Sequence, residues 1–383
     1  MSMILRTGPE RRPVGALAAL RALAVWTLMA GGLAACTTVK TVEAPPPAPA
    51  PAPAPDPVGQ SLHRVVYDPA QGDLIGRVQT TIATHEDTFV DLARRFNVGY
   101  EELARANPGV DPWLPGEGRR IILPTAFILP HAPREGIVIN IAAMRLFYFP
   151  ARKANEPQVI YTFPIGIGRV GFATPEGTTK VLRKAKDPIW RPGPGVRAEH
   201  AKDGEILPAV VAAGPDNPLG NRAMYLGWAG YLIHGTNKPA GVGLRSSHGC
   251  IRLFPEDVEL LYELVKPGEK VTVVNQPFVF GWRGDALHLQ AFDVLEDDPR
   301  DWNKATRKLL SRTFARELEK KLQERNQQID WDAVQRLGRD PHGVPVPIAG
   351  GASTLETVLA DAARVRNAVP SGATWTAAPG GSP

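Results

Sequence analysis

The chain of 383 residues holds only two cysteines, Cys36 and Cys250, too few for a disulfide framework. Net charge is equally scarce: 44 lysines and arginines stand against 39 aspartates and glutamates, a formal +5. Setting aside the four arginines and one glutamate of residues 1–35 lowers this to +2, which is no nucleic-acid footprint, so no nucleic-acid partner is expected. A pI near 9.2 fits loose attraction to an anionic envelope or wall polymer, and a solvated mixed-charge surface explains it equally well. Metal-ligand spacing is absent too, so no metal or other cofactor is expected. The apolar stretch from Ala22 to Ala35 is broken by small and polar residues and falls short of a membrane span.

Against these absences stands Ser247-His248-Gly249-Cys250-Ile251-Arg252, with Ile233-His234-Gly235-Thr236 shortly upstream. Two imidazoles lie close in sequence to one thiol. A thiol becomes a strong nucleophile when a base or positive field draws off its proton, and histidine suits that task near neutral pH. An arbitrary cysteine is most often a packed apolar side chain. Here the thiol follows a glycine and sits among turn formers instead of inside an apolar run. Glycine permits a tight turn that can aim the Gly249 and Cys250 N–H groups at a developing oxyanion. Either histidine is a candidate base.

Cys36 has a separate explanation. Arg6, Arg11 and Arg12 precede the apolar stretch in the layout of a signal peptide, and Leu33-Ala34-Ala35-Cys36 resembles the lipobox of bacterial lipoproteins. That resemblance implies lipidation of Cys36, a leader over residues 1–35, and export to a periplasmic, lipid-anchored location at the outer membrane. An ordinary cleaved leader or a short anchor helix is the alternative, and it also exports the protein. Residues 36–60 are Pro/Ala-rich. The twelve residues Ala44 to Pro55 favour extended polyproline II, a tether of roughly 35–40 Å.

Residues 80–124 have the order strand, helix, helix, strand. Phe89, Leu92, Ala93 and Phe96 fall at helical spacing, and Asn97-Val98 breaks the pattern. A second helix ends at Asn107-Pro108, and Arg120 to Pro124 reads as a closing strand. The order resembles a LysM domain, which implies binding of N-acetylglucosamine-containing glycan such as peptidoglycan. Glu86 stands where that family usually has glycine, and a folded spacer is the alternative.

From Gly136 to Val274 short β-rich runs alternate with Gly/Pro/Asn/Asp clusters, so a mainly β architecture, a sandwich or closed sheet, is expected. One amphipathic helix is expected from Pro255, with Val258, Leu261, Tyr262 and Val265 on one stripe, ended by Pro267-Gly268. Ile165-Gly166-Ile167-Gly168, Thr174-Pro175-Glu176-Gly177, Ile189-Trp190-Arg191-Pro192, Asn217-Pro218-Leu219-Gly220 and the two histidine blocks occur in the order found in L,D-transpeptidase catalytic domains of the YkuD type. Residues 135–275 resemble that family.

The resemblance implies Cys250 as nucleophile, His234 as proton acceptor and donor oriented by the Gly235 carbonyl, and His248 in support. Gly249 is read as an oxyanion donor, and Ser247 and Arg252 as substrate contacts. It further implies thioester formation with a peptidoglycan tetrapeptide stem, release of D-alanine, and transfer to an amine. That amine is a neighbouring stem, giving a 3→3 cross-link, or a lysine of a small outer-membrane lipoprotein. Water as acceptor makes the enzyme an L,D-carboxypeptidase, a hydrolase of stem or lipoprotein linkages. A wall-binding lipoprotein that has lost catalysis is the third class, and the intact motif argues against it.

Residues 276–370 read as a mostly helical extension. Gly281 to Gln290 suggests a hairpin added to the catalytic domain, Asp301 to Gln328 a helix with Leu310, Phe314, Leu318 and Leu322 on one stripe, and Ser353-Thr354-Leu355-Glu356 a capping box for a helix to about Val365. Residues 371–383 are expected to be disordered.

Overall fold

A computed structural model describes residues 63–152, 156–202, 204–300, 302, 312–351, 353–369 and 373. The leader, Cys36, the tether and all but Ala373 of the tail therefore lie outside the described residues. No helix among the described residues is long and apolar enough to cross a membrane.

Two short strands, β1 (Arg64–Tyr67) and β2 (Leu74–Gly76), lead into a βααβ module of β3 (Gln79–Ile82), α1 (Phe89–Arg95), α2 (Tyr100–Ala106) and β4 (Arg120–Leu123). Helix α1 starts where Thr88 and Asp91 cap each other reciprocally, and it buries Phe89, Leu92 and Ala93 against Leu103, Ile121 and Leu123. It stops at Asn97, whose φ of 53° is left-handed. Asn107 explains the end of α2. Its amide donates to the Leu103 and Ile122 carbonyls and accepts from the Ile122 N–H, sewing helix to strand.

The next strands are β5 (Ala126–Ile128), β6 (Gly136–Asn140), β7 (Arg145–Phe149), β8 (Gln158–Pro164), β9 (Ile167–Gly168), β10 (Gly177–Lys186), β11 (Arg222–Leu226), β12 (Leu232–His234), β13 (Arg245–Ser247), β14 (Ile251–Arg252) and β15 (Lys270–Val274); all but β5, β9 and β13 join β1 in the large sheet. Nine strands run in the order β1-β8-β7-β6-β15-β10-β11-β12-β14, β9 pairs only with β13, and β5 pairs with β2. Strand β10 turns the corner. Its first residues pair with β15 and its later ones with β11, and the register shifts between Val181 and Arg183. Two helices join this region, α3 (Pro194–Lys202) and α4 (Pro255–Leu264). Helix α4 buries Val258 and Leu261 in the same cluster as Ile137, Ile139, Ile233 and Ile251. The architecture is mainly β.

The extension departs from expectation. Strands β16 (Phe278–Arg283), β17 (Ala286–Ala291) and β18 (Val346–Ala349) form an antiparallel sheet of their own. The hairpin thus pairs within the extension, because Leu287 and Leu289 bury against Val334 and Leu337 of the helix Trp331–Arg339. Helix Arg312–Glu324 lies inside the expected 301–328 span; Leu318 is buried, and Leu310 and the Phe314 side chain lie outside the described residues. Helix Leu355–Ala360 is capped by Thr354 and ends well before Val365. The chain leaves it because Ala363–Arg364 pairs in parallel with β3 and Val365 enters the module's core.

Candidate active site

Strand β12 delivers His234 and strand β14 follows Cys250. Their parallel pairing sets Ile233 beside Ile251 and His234 beside Arg252, bringing together residues sixteen apart in sequence. Both side chains line one cleft of about 730 Å³, whose walls include Trp190, Trp228, Tyr231 and Arg252.

His234 is 4% exposed, and its Nδ1 lies 2.6 Å from the Gly235 carbonyl oxygen. A carbonyl can only accept, so Nδ1 carries the hydrogen and Nε2 is left as a proton acceptor. Burial, helped by the positive Arg252, pulls this imidazole from its ordinary 6.5 down to about 3, against the opposing pull of the Gly235 and Leu219 carbonyls. Gly235 has no room for a side chain. A Cβ there would lie 2.9 Å from Val258 Cγ1, so α4 presses directly on the turn that orients His234.

Burial also raises the Cys250 thiol above its ordinary 9.0, while a hydrogen bond from the Leu232 backbone and the charge of Arg252 act the other way. Thiol and imidazole therefore both rest neutral at pH 7.

The turn before Cys250 is held by Ser247 and Gly249. Ser247 is 1% exposed; its hydroxyl accepts from the Gly249 N–H at 3.1 Å and donates to the Cys250 carbonyl at 2.6 Å. It closes the turn with these two bonds while lining the cleft beside Cys250. The Gly249 N–H is thereby occupied and is no oxyanion donor in this state. Gly249 itself is required, with φ at +99° and a Cβ that would come within 2.7 Å of the Tyr231 ring. Thr174 supports the turn from behind, donating to the Gly249 carbonyl at 3.0 Å and accepting from the Gly168 N–H at 3.1 Å.

His248 points to another partner. Its Nε2 lies 2.9 Å from Glu199 Oε2, Arg169 pairs with the same carboxylate, and Phe172 meets the ring edge to face. Burial and the positive Arg169 lower its pKa. Glu199 lies on α3, which buries no residue and belongs to an excursion closed at its base by paired Trp190 and Val211 backbones. Gly193 and Val196 of that excursion line the cleft. Arg252 donates to Ser246 Oγ at 3.1 Å and stands in the cleft with Cys250 and His234. Sequence reasoning missed Glu199, Arg169 and the role of Thr174. Only Thr174 had a signal, its Thr-Pro-Glu-Gly block.

Among the described residues no group of three or more His, Cys, Asp or Glu is placed to hold a metal ion. The family model of the L,D-transpeptidase catalytic domain, YkuD, matches residues 134–273. The chain is 40% identical over 242 residues to a protein of Escherichia coli K12 described as probable L,D-transpeptidase YcfS, covering 61% of this chain and 74% of that one. It is 43% identical over 221 residues to the Salmonella typhimurium protein described as probable L,D-transpeptidase ErfK/SrfK, covering 57% and 70%. The match to Escherichia coli YbiS, described in the same way, is 47% over 187 residues, covering 49% and 60%. With identities of this size across more than two thirds of YcfS and ErfK/SrfK, the chain belongs to the L,D-transpeptidase family.

Proposed function

We propose that the protein is a peptidoglycan L,D-transpeptidase working through a Cys250 thioester. The observation that carries this reading is the neutral, buried His234, held with Nε2 as acceptor in the same cleft as Cys250. As Sγ attacks the carbonyl carbon of the third stem residue, its proton passes to His234 Nε2. The backbone N–H of Cys250 supports the oxyanion. Collapse breaks the amide bond to D-alanine, whose nitrogen takes the proton from His234, and a thioester remains. An acceptor amine then attacks the thioester, loses a proton to His234, and returns the sulfur as a thiol. His248 takes no proton in this scheme; with Glu199 and Arg169 it holds the wall of the cleft.

Within the same proposal the βααβ module is a LysM-type unit that grips the glycan. Cys36 is lipidated, and the protein works in the periplasm from a lipid anchor. Intact-mass measurement with a disaccharide-tetrapeptide, then an acceptor amine, tests the chemistry. A D-alanine-releasing adduct present in wild type and absent in Cys250→Ala, followed by a dimer, is expected. Tripeptide alone would replace transfer by hydrolysis, and no adduct in folded protein would sink the reading.

A further inference from the structure

The βααβ module does more than sit at the N-terminal side of the catalytic sheet. Arg145 on β7 is 0% exposed and gives two parallel hydrogen bonds, 2.7 and 2.6 Å, to Glu102 of α2, with a third to the Asn97 carbonyl at 2.9 Å. Glu102 uses the same carboxylate to accept the Gly99 N–H at 2.6 Å. A second bidentate pair of opposite polarity, Arg94 to Glu256 at 2.8 Å for each bond, ties α1 to α4. The N-terminal end of α2 then meets the loop that leads to the nucleophile. Glu101 N–H donates to the Gly243 carbonyl at 3.1 Å, and a Cβ on Gly243 would fall 2.2 Å from Tyr100 N. A Cβ on Gly99 would fall 2.9 Å from Gly243 Cα, so the two glycines meet backbone to backbone. From Gly243 the chain passes through β13 to Ser247, whose hydroxyl closes the Cys250 turn, and through Ser246, which accepts from Arg252.

We infer that Gly99 is a positioning residue for catalysis: through its contact with Gly243 the module sets the loop that carries Ser247 and hence the attack geometry of Cys250, independently of any glycan the module holds. The inference rests on the reading of Cys250 as nucleophile. A displaced loop shifts sulfur relative to its target, and errors of about an ångström cost up to roughly a hundredfold in rate.

Gly99→Ala and Gly99→Ser in the full chain make the test. Gly99 has φ −81° and ψ 158°, which any residue adopts, so each variant adds only the clash with Gly243. Serine is a better helix cap than alanine, so a loss through helix stability would separate the two and a loss through the contact would not. On a soluble disaccharide-tetrapeptide, too small to depend on glycan grip, both variants are expected to lower kcat about tenfold with KM moved less than about twofold. Hydrogen exchange of the amides of residues 241–250 is expected to speed up in both. Arg94→Ala, which loosens the docking without a clash, should show the same split more weakly and covers the case in which the glycine variants do not fold. Unchanged kcat on the small substrate together with unchanged exchange in that loop would overturn the inference. If wild type turns over no stem at all, the transpeptidase reading fails, and the exchange measurement alone decides whether the module sets the loop.

Discussion

His234 and Arg145 are both basic side chains removed from water, 4% and 0% exposed, yet they meet burial in opposite ways. His234 has only carbonyl partners, and it gives up its charge. Arg145 is satisfied by a fork-to-fork carboxylate, a backbone carbonyl and the face of Phe127, 3.9 Å from the ring centroid. The imidazole is buried without a counter-charge, and the guanidinium that joins β7 to α2 is buried with one.

Cys250→Ala breaks the chemical side completely. Turnover and the acyl adduct disappear while stability moves by about 1 kcal/mol or less, because the substitution is small and leaves no charge unpaired; intact mass and a thermal melt measure the two effects. His234→Gln should lower kcat by about 10²–10⁴ in folded protein, the usual worth of a general base, in stopped or continuous D-alanine-release assays. A fall below tenfold would give the base role to another group.

On the junction side the energies reverse. Arg145→Met leaves Glu102 buried without its partner and should cost about 3–5 kcal/mol in denaturant unfolding, whereas Glu102→Gln combined with Arg145→Met should recover much of that loss. Equal losses in the single and double variants would mean that the pair contributes little as a pair.

The smallest effect is on pH. The folded pKa of His234 lies below its ordinary 6.5, so its contribution to stability is present above that pH and is lost as pH falls towards about 3. His234→Gln should flatten the decline in melting temperature between about pH 6.5 and 4 without abolishing it, since His131 and His288 are depressed by burial too. For the same reason kcat/KM should show no inflection near 6.5. An inflection there would mean that a histidine of ordinary pKa controls the rate.

How much of this was readable from the sequence depends on whether the information is local. Cys250, His234 and the α1 stripe are specified by neighbours within a turn or two, and the structure puts Cys250 and His234 in one cleft and buries the stripe. Glu102 and Arg145 carry no such mark. Glu102 reads as an ordinary acid in the first turn of a helix and Arg145 as the polar start of a strand, and only the docking of one unit on the other removes both from water. The turn-closing role of Ser247 was equally hidden: it depends on the positive φ of Gly249, which brings the Gly249 N–H and the Cys250 carbonyl to the one hydroxyl. Glu199 reaches His248 from an excursion whose closing pair, Trp190 and Val211, has no pattern in the intervening residues.

The strand Ala363–Arg364 has a consequence for the order of assembly. Thr81 donates its hydroxyl to the Val365 carbonyl, a contact spanning 284 residues, and Asn367 donates to the Ile82 carbonyl and to Asp87. During synthesis the module emerges early, but its third strand and the last apolar side chain of its core emerge only after the catalytic sheet. The module, made before the catalytic sheet, is therefore finished after it, and until then its β3 edge stands open to whatever strand arrives first.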